Sequence, residues 1–202
     1  MSWLCIRVAL AGFTLCLAAC TSSGGLCSGA NMPGTCPGAY PDWATSPYNL
    51  PWAVGSSFKV GQGSCTAATD SHAAGTNDAF AVDVDMPIGT AVLAARAGTV
   101  TAIEGKYEDG SKQQANFVKI QHEDGTVAQY FHLTLNGPRV AVGERVMQGQ
   151  LVGLSGNTGD SSQPHLHFQV DACAGQGSMP VAFKNTVANP RGLVEGQSYL
   201  AQ

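Results

Sequence analysis

The strand that decides the fold spans residues 80–85, which read Phe-Ala-Val-Asp-Val-Asp. Successive side chains of an extended chain point to opposite sides, so Val82 and Val84 share one face and Asp83 and Asp85 share the other. This period of two predicts a β-strand with one apolar face in a core. The opposite face would carry two acids.

Similar runs follow along the chain, separated by Gly, Asp, Asn and Pro. The chain contains 25 glycines, and no amphipathic helix longer than two turns is predicted. The pattern therefore predicts an all-β domain of short strands with little helix. The runs span residues 57–60, 80–85, 91–95, 98–107, 116–122, 126–133, 151–155 and 165–170.

The composition suits one folded domain with extensions. The 202 residues are 44% hydrophobic and only 12% charged, with 14 acidic against 10 basic side chains and a net charge of −4. These values exclude a disordered acidic chain and a long coiled coil. The acidic balance argues against a nucleic acid partner.

The N-terminus is typical of an export signal. Residues 1–19 contain one charge, Arg7, and an apolar run too short to span a bilayer. The run ends at residues 17–20 (LAAC), which resemble the lipobox of bacterial lipoproteins. That resemblance implies cleavage before Cys20 and lipid attachment to Cys20, and Thr21 favours the outer membrane. The alternative is ordinary signal cleavage with Cys20 as a spare thiol.

Residues 20–47 are rich in Ser, Gly, Pro and Thr, and we expect a flexible tether. A folded domain is predicted over residues 48–175. Residues 176–202 would form a C-terminal extension that packs on it.

Histidines and one acid are the candidates for chemistry. His165 and His167 are two positions apart, so on a strand both rings share one face. Asp83 is an acid on an otherwise apolar strand, although a solvent-facing carboxylate is the simpler interpretation. A catalytic zinc takes three ligands from His, Asp or Glu, which such residues could supply. Calcium fits less well because it prefers six or more oxygens.

Residues from about 48 to 170 resemble the lysostaphin-type zinc metallopeptidases, the M23 or LytM-like family. The order and spacing of several segments carry this resemblance. They are residues 48–51 (YNLP), 62–63 (QG), 80–90 (FAVDVDMPIGT), 94–100 (AARAGTV), 130–133 (YFHL), 142–146 (VGERV), 149–159 (GQLVGLSGNTG) and 164–168 (PHLHF).

The resemblance implies a compact antiparallel β domain with an open groove, of the duplicated hybrid motif type, and one Zn²⁺ per domain. It makes Asp83 and His167 zinc ligands. His132 and His165 become catalytic histidines beside the metal. Asp85 shares the face of Asp83 but not the match, so we expect it at the rim.

The remaining ligand departs from the commoner family pattern, which has a histidine four residues before the ligand aspartate. Ala79 stands at that position here. Some relatives place the histidine further upstream, after a serine, and Ser71-His72 resembles that version. His72 is therefore the predicted third ligand. His122, at a position where relatives often carry a non-catalytic histidine, is expected to be structural.

The cysteines that remain after export are Cys27, Cys36, Cys65 and Cys173, an even set in an oxidising compartment. Cys65 lies seven residues before His72, and Cys173 six after His167. If those histidines meet at one metal, the two cysteines become neighbours. We therefore predict the disulfides Cys65–Cys173 and Cys27–Cys36.

The resemblance and the export signal together imply a zinc endopeptidase that hydrolyses peptide stems or cross-links of peptidoglycan. Its location would be the cell envelope, with the periplasmic face of the outer membrane favoured over the inner membrane. A protein regulator is a further expected partner. One alternative is a catalytically silent protein of the same fold that binds the wall or activates an amidase. Another is a secreted protease acting on Gly-rich proteins.

Overall fold

A computed structural model describes residue 36 and residues 38–67, 70–173 and 176–202. These residues form ten strands and one short 3-10 turn, Trp43–Thr45. The strands are β1 (Ser57–Gln62), β2 (Val82–Asp85), β3 (Ala91–Leu93), β4 (Gly98–Glu104), β5 (Asn116–Gln121), β6 (Val127–Leu133), β7 (Arg145–Val146), β8 (Leu151–Leu154), β9 (His165–Asp171) and β10 (Ser198–Leu200).

Eight of these strands form one antiparallel sheet in the order β10-β1-β2-β9-β6-β5-β4-β7, and β3 pairs with β8 in a small second sheet. The predicted all-β class with little helix is confirmed. Among the described residues, no helix is long and apolar enough to cross a bilayer.

The alternation of residues 80–85 positions β2 as predicted. Val82 and Val84 are at most 5% exposed and lie in the core, while Asp83 and Asp85 remain partly accessible on the other face. Strand β9 follows the same rule, because Leu166 and Phe168 pack into the core. Each central strand therefore has a core face and a groove face.

The ends of the described chain also pack on this core. In the predicted tether, Ser46 is buried and its hydroxyl donates to the Ala182 carbonyl. Near the C-terminus, β10 pairs with β1, and its Tyr199 is buried. The boundaries at residues 48, 175 and 176 stay predictions. The export signal (residues 1–19), Cys20 and Cys27 lie outside the described residues.

The disulfide pairing differs from the prediction. Cys36 is bonded to Cys65, with their Cα atoms 5.7 Å apart, so the predicted pairs Cys65–Cys173 and Cys27–Cys36 are wrong. Cys173 is disulfide-bonded, but not to Cys65. A shared site for two histidines does not bring their neighbours together, because six residues of extended chain reach about 20 Å. The N-terminal segment supplies the partner of Cys65 instead.

Candidate metal centre and active site

The three central strands β2, β9 and β6 bring their groove faces together. Asp83 of β2 lies directly opposite His167 of β9 in the antiparallel register. Phe131 of β6 lies opposite His167 on its other side. Because directly opposed residues in antiparallel strands share a face, this register places the carboxylate against the imidazole. The distance from Asp83 Oδ1 to His167 Nδ1 is 2.9 Å.

His72 reaches the same point from the loop between β1 and β2. This side chain is fully buried, and its Nδ1 lies 3.0 Å from the carbonyl oxygen of Gly63. The loop is closed by a backbone hydrogen bond from Thr66 to the His72 carbonyl. The Nε2 atom of His72 faces His167 Nδ1 at 3.4 Å and Asp83 Oδ1 at 3.5 Å.

The three facing atoms fit a tetrahedral zinc ion. Zinc at 2.0–2.1 Å from each ligand requires ligand atoms about 3.3 Å apart. The three observed separations are 2.9, 3.4 and 3.5 Å. Among the described residues, His72, Asp83 and His167 form the one cluster of three or more His, Cys, Asp or Glu residues that could hold a metal ion. Asp85 is not part of it and instead accepts a hydrogen bond from Gln163.

The second nitrogen of each ring in this cluster is also occupied. With Gly63 accepting from Nδ1 of His72, the lone pair of that ring is on Nε2. Nε2 of His167 lies 3.0 Å from Oε1 of Gln169, which accepts its proton and leaves Nδ1 for the cluster. Both rings therefore turn towards the cluster the nitrogen that would bind a zinc ion; on His167 the ion would replace the proton that Nδ1 donates to Asp83.

The surroundings of the cluster favour an ionised Asp83 and a neutral His72. Burial raises the pKa of Asp83, but the hydrogen bond from His167 and the nearby His72 and His165 outweigh burial and hold the pKa below its ordinary value. Burial lowers the pKa of His72, which favours the neutral ring that metals bind. Burial also lowers the pKa of His167, but Asp83 outweighs this effect and the net pKa is raised.

The two predicted catalytic histidines lie beside this cluster. The rings of His132 and His165 are 4.5 Å apart between centroids. Nε2 of His165 lies 3.7 Å from Asp83 Oδ2, while its Nδ1 is 2.8 Å from the Gln163 carbonyl. Nδ1 of His132 is 2.6 Å from the Thr158 carbonyl. Each ring therefore has its Nδ1 proton held by a carbonyl and presents Nε2 as a proton acceptor.

His132 has two further properties of a functional residue. Its backbone φ is +62°, a left-handed conformation that costs a non-glycine residue about 1–3 kcal/mol. Burial, helped by the neighbouring His165, lowers its pKa to about 4. The ring is therefore neutral at neutral pH and available to accept a proton.

The cluster opens into a groove of about 620 Å³. Lys119 lies along it, with Nζ 5.4 Å from the ring centroids of both Phe117 and Phe131. Among the described residues no acid forms an ion pair with Lys119. His122 lies away from the groove, against Tyr48, with Nδ1 2.8 Å from the Ala97 carbonyl.

Sequence reasoning missed several polar residues that support the site. Gln169 and Asp171 continue the alternation of His165 and His167 along β9, so extending the period of two would have placed them on the groove face. Thr158 supports His132 through its backbone carbonyl. Every residue type has such a carbonyl, so the sequence does not indicate this role.

Comparison with known proteins identifies the family. The model of peptidase family M23 matches residues 78–180, about half of the chain. The chain therefore belongs to peptidase family M23, and the resemblance in the sequence is confirmed at that level.

Curated relatives agree over the same region. Peptidoglycan DD-endopeptidase ShyA from Vibrio cholerae is 39% identical over 88 residues, which are 44% of this chain and 19% of that protein. Lysostaphin from Staphylococcus simulans is 37% identical over 90 residues, 45% of this chain and 17% of lysostaphin. This chain thus spans about a fifth of the length of the curated relatives it matches.

Solved structures support the fold. The solution structure of lysostaphin aligns with 66% of this chain and 51% of its own, at a TM-score of 0.50 and 28% identity. The catalytic domain of the prophage-encoded M23 protein EnpA from Enterococcus faecalis aligns with 65% of this chain and 94% of its own, at a TM-score of 0.51 and 22% identity. At 22% identity, the similarity to the EnpA domain supports the fold alone.

Proposed function

We propose that this chain is a zinc-dependent endopeptidase that hydrolyses peptide bonds in the stems or cross-links of peptidoglycan. The observation that carries the proposal is the convergence of three donor atoms, from His72, Asp83 and His167, at tetrahedral spacing with two histidines beside them. Membership of a peptidase family and the similarity to a peptidoglycan DD-endopeptidase support it.

His72, Asp83 and His167 would hold the zinc ion, which when bound supplies Lewis acidity towards a scissile carbonyl and a more acidic water. Hydrolysis of an amide also needs a proton taken from the attacking water and one delivered to the leaving nitrogen. His132 is suited to accept the first proton at Nε2 because its ring is neutral at neutral pH. His165, held at Nδ1 by the Gln163 carbonyl, presents Nε2 to the same space and orients the water.

Lys119 gives the groove a fixed positive charge for the substrate. The two phenylalanine rings hold the ammonium group by cation–π contact, and Asp171 acts on it electrostatically without forming an ion pair. A peptide carboxylate of a peptidoglycan stem is the complementary group. For walls with directly linked stems, the expected bond is the one between D-Ala and diaminopimelate.

The silent wall-binding alternative rested on Ala79, where the commoner family pattern has a histidine. His72 supplies a ring nitrogen to the cluster from the preceding loop, so that departure no longer favours a silent protein.

The location in the envelope is a separate proposal. Lipid on Cys20 would hold the domain at a membrane, with the periplasmic face of the outer membrane favoured. In fractionated cells, the wild-type protein should sediment with outer membranes and a Cys20→Ala variant should not. A Cys20→Ala variant that sediments like the wild type would contradict the anchor.

Digestion of purified peptidoglycan tests the function. The protein from Thr21 onwards is incubated with diaminopimelate-type walls and, separately, with glycine-bridged walls, with chelator and with zinc restored. We expect mass-identified fragments cut between D-Ala and diaminopimelate that vanish with chelator and return with zinc. In the same assay Lys119→Met should raise KM and leave kcat nearly unchanged. Zinc-loaded protein that releases no fragments from either wall would contradict the proposed activity.

A further inference from the structure

A line of buried hydrogen bonds leads away from His167 along the groove face of β9. His165, His167, Gln169 and Asp171 occupy alternate positions of the strand and so share this face. Gln129 of β6 lies opposite Gln169 in the register of the sheet. The glutamines and Asp171 are each no more than 5% exposed, so their polar atoms depend on one another rather than on solvent.

The direction of each hydrogen bond follows from Asp171. Nε2 of Gln169 donates to Asp171 Oδ1 at 2.7 Å, and Nε2 of Gln129 donates to Asp171 Oδ2 at 2.5 Å. An ionised carboxylate can only accept, so both glutamines must turn their amide nitrogens towards it. Gln169 is thereby left with Oε1 facing His167.

This orientation decides which nitrogen of His167 carries a proton. Oε1 of Gln169 lies 3.0 Å from Nε2 of His167 and can only accept, so the proton is held on Nε2. Nδ1 is then the nitrogen that would give its lone pair to a metal, in place of the proton it donates to Asp83, and it is the atom that faces Asp83 and His72. A carboxylate two hydrogen bonds away thus determines the ligand atom.

We propose that Asp171, acting through Gln169, is a positioning residue that keeps the proton on Nε2 of His167 and so makes Nδ1 a zinc ligand. The inference rests on the proposed zinc site. Loss of such an outer partner of a ligand histidine weakens metal binding by about 10–100-fold.

Asp171→Asn tests the inference because it preserves the shape of the side chain but introduces an amide that can donate. Gln169 can then turn over, accept from the new amide and present its own nitrogen to His167. The Nε2 proton loses its acceptor, and we expect the zinc Kd to rise about 10–100-fold.

A second substitution should reverse this loss. Adding Gln169→Glu to the D171N variant places a carboxylate beside His167 that can only accept, so the Nε2 proton is held again. We expect the zinc Kd of Q169E/D171N to return to within a few-fold of the wild-type value. A merely structural role predicts the opposite, because two buried substitutions would then damage the protein more than one.

The measurements are zinc Kd by chelator competition and the Nε2–H signal of His167 in nitrogen-15 NMR spectra of zinc-loaded protein. Asp124→Asn is the matched control, because Asp124 also accepts hydrogen bonds, from Thr126 and Arg96, but has no connection to His167. It should lose stability and keep the wild-type zinc Kd. If D171N does not fold, Gln169→Met removes the same acceptor and carries the same expectation.

Two results would overturn the inference. Wild-type zinc Kd and an unchanged Nε2–H signal in D171N, or in Q169M, would show that the line of hydrogen bonds does not act on His167, while the proposed zinc site would stand. A wild-type protein that binds no zinc would overturn the proposed function and this inference together.

Discussion

His72→Asn separates metal binding from folding at the candidate site. In the wild type, Nδ1 of this ring donates to the Gly63 carbonyl and Nε2 faces Asp83 and His167. An asparagine amide can replace Nδ1 as donor, but it has no atom in the position of Nε2. The variant therefore loses one of three ligands while its loop keeps the same anchor.

The size of the effect follows from the number of ligands. A structural zinc site with four protein ligands binds with about 10–16 kcal/mol, so one ligand contributes about 2.5–4 kcal/mol. Since about 1.4 kcal/mol is a tenfold change, H72N should bind zinc about 10²–10³-fold more weakly. At a zinc concentration about 100 times the wild-type Kd, zinc stabilises the wild type by about 2.7 kcal/mol and the variant by at most about 0.4 kcal/mol.

Thermal denaturation followed by circular dichroism, with zinc and with chelator, measures this difference. Zinc should raise the Tm of the wild type by about 5–11 °C and that of H72N by less than about 2 °C. His122→Asn is the control, because His122 is also buried and its Nδ1 also lies against a backbone carbonyl, that of Ala97. It should keep the full zinc-dependent rise. A rise in H72N equal to that of the wild type would refute the assignment of His72.

Three further predictions concern catalysis and stability. His132→Asn should lower the rate of peptidoglycan cleavage by about 10²–10⁴-fold at unchanged zinc Kd, since the ring is placed as a proton acceptor rather than a ligand; a matching loss of zinc would contradict this role. Replacing both Cys36 and Cys65 by serine opens a loop with a sequence separation of 29 and should lower the free energy of unfolding in urea by about 3–4 kcal/mol; a fall below about 1 kcal/mol would count against the bond. Burial raises the pKa of Asp124, but the hydrogen bonds it accepts, including one from Arg96, outweigh burial and hold the pKa below its ordinary value. Its contribution is therefore present above about pH 4 and lost as pH falls further. The stability difference between wild type and D124N should stay nearly constant down to about pH 4 and shrink below it; a difference that does not change below about pH 4 would contradict the ion pair.

The sequence predicted those parts of the structure that depend on local periodicity. Alternation along residues 80–85 and 165–170 gives the core face and the groove face of β2 and β9 directly. Their pairing, with Asp83 opposite His167, was not predicted, because it joins segments that are far apart in the sequence. Strands β7 and β10 were missed because runs of two or three residues carry no measurable period.

The parts that the sequence did not predict depend on contacts between distant segments. The partner of Cys65 is set by the path of the N-terminal segment, which has no periodic pattern. The anchoring of His72 depends on the Gly63 carbonyl. Because every residue has a backbone carbonyl, this contact cannot be predicted from residue types. The position of Asp171 on the groove face could have been predicted, because it continues the alternation of β9. Its effect on His167 could not, because that effect depends on the orientation of the Gln169 amide.

Titration of zinc-free protein with zinc, with peptidoglycan cleavage measured at each step, tests the central claim most directly. The account predicts no fragments without metal, a linear rise in cleavage rate, and a plateau at one zinc per chain. Asp83→Asn, which removes the charged ligand at the centre of the cluster, should abolish both the binding and the cleavage. Fragments from fully zinc-free protein, or full cleavage by the Asp83→Asn variant, would contradict a zinc endopeptidase built on His72, Asp83 and His167.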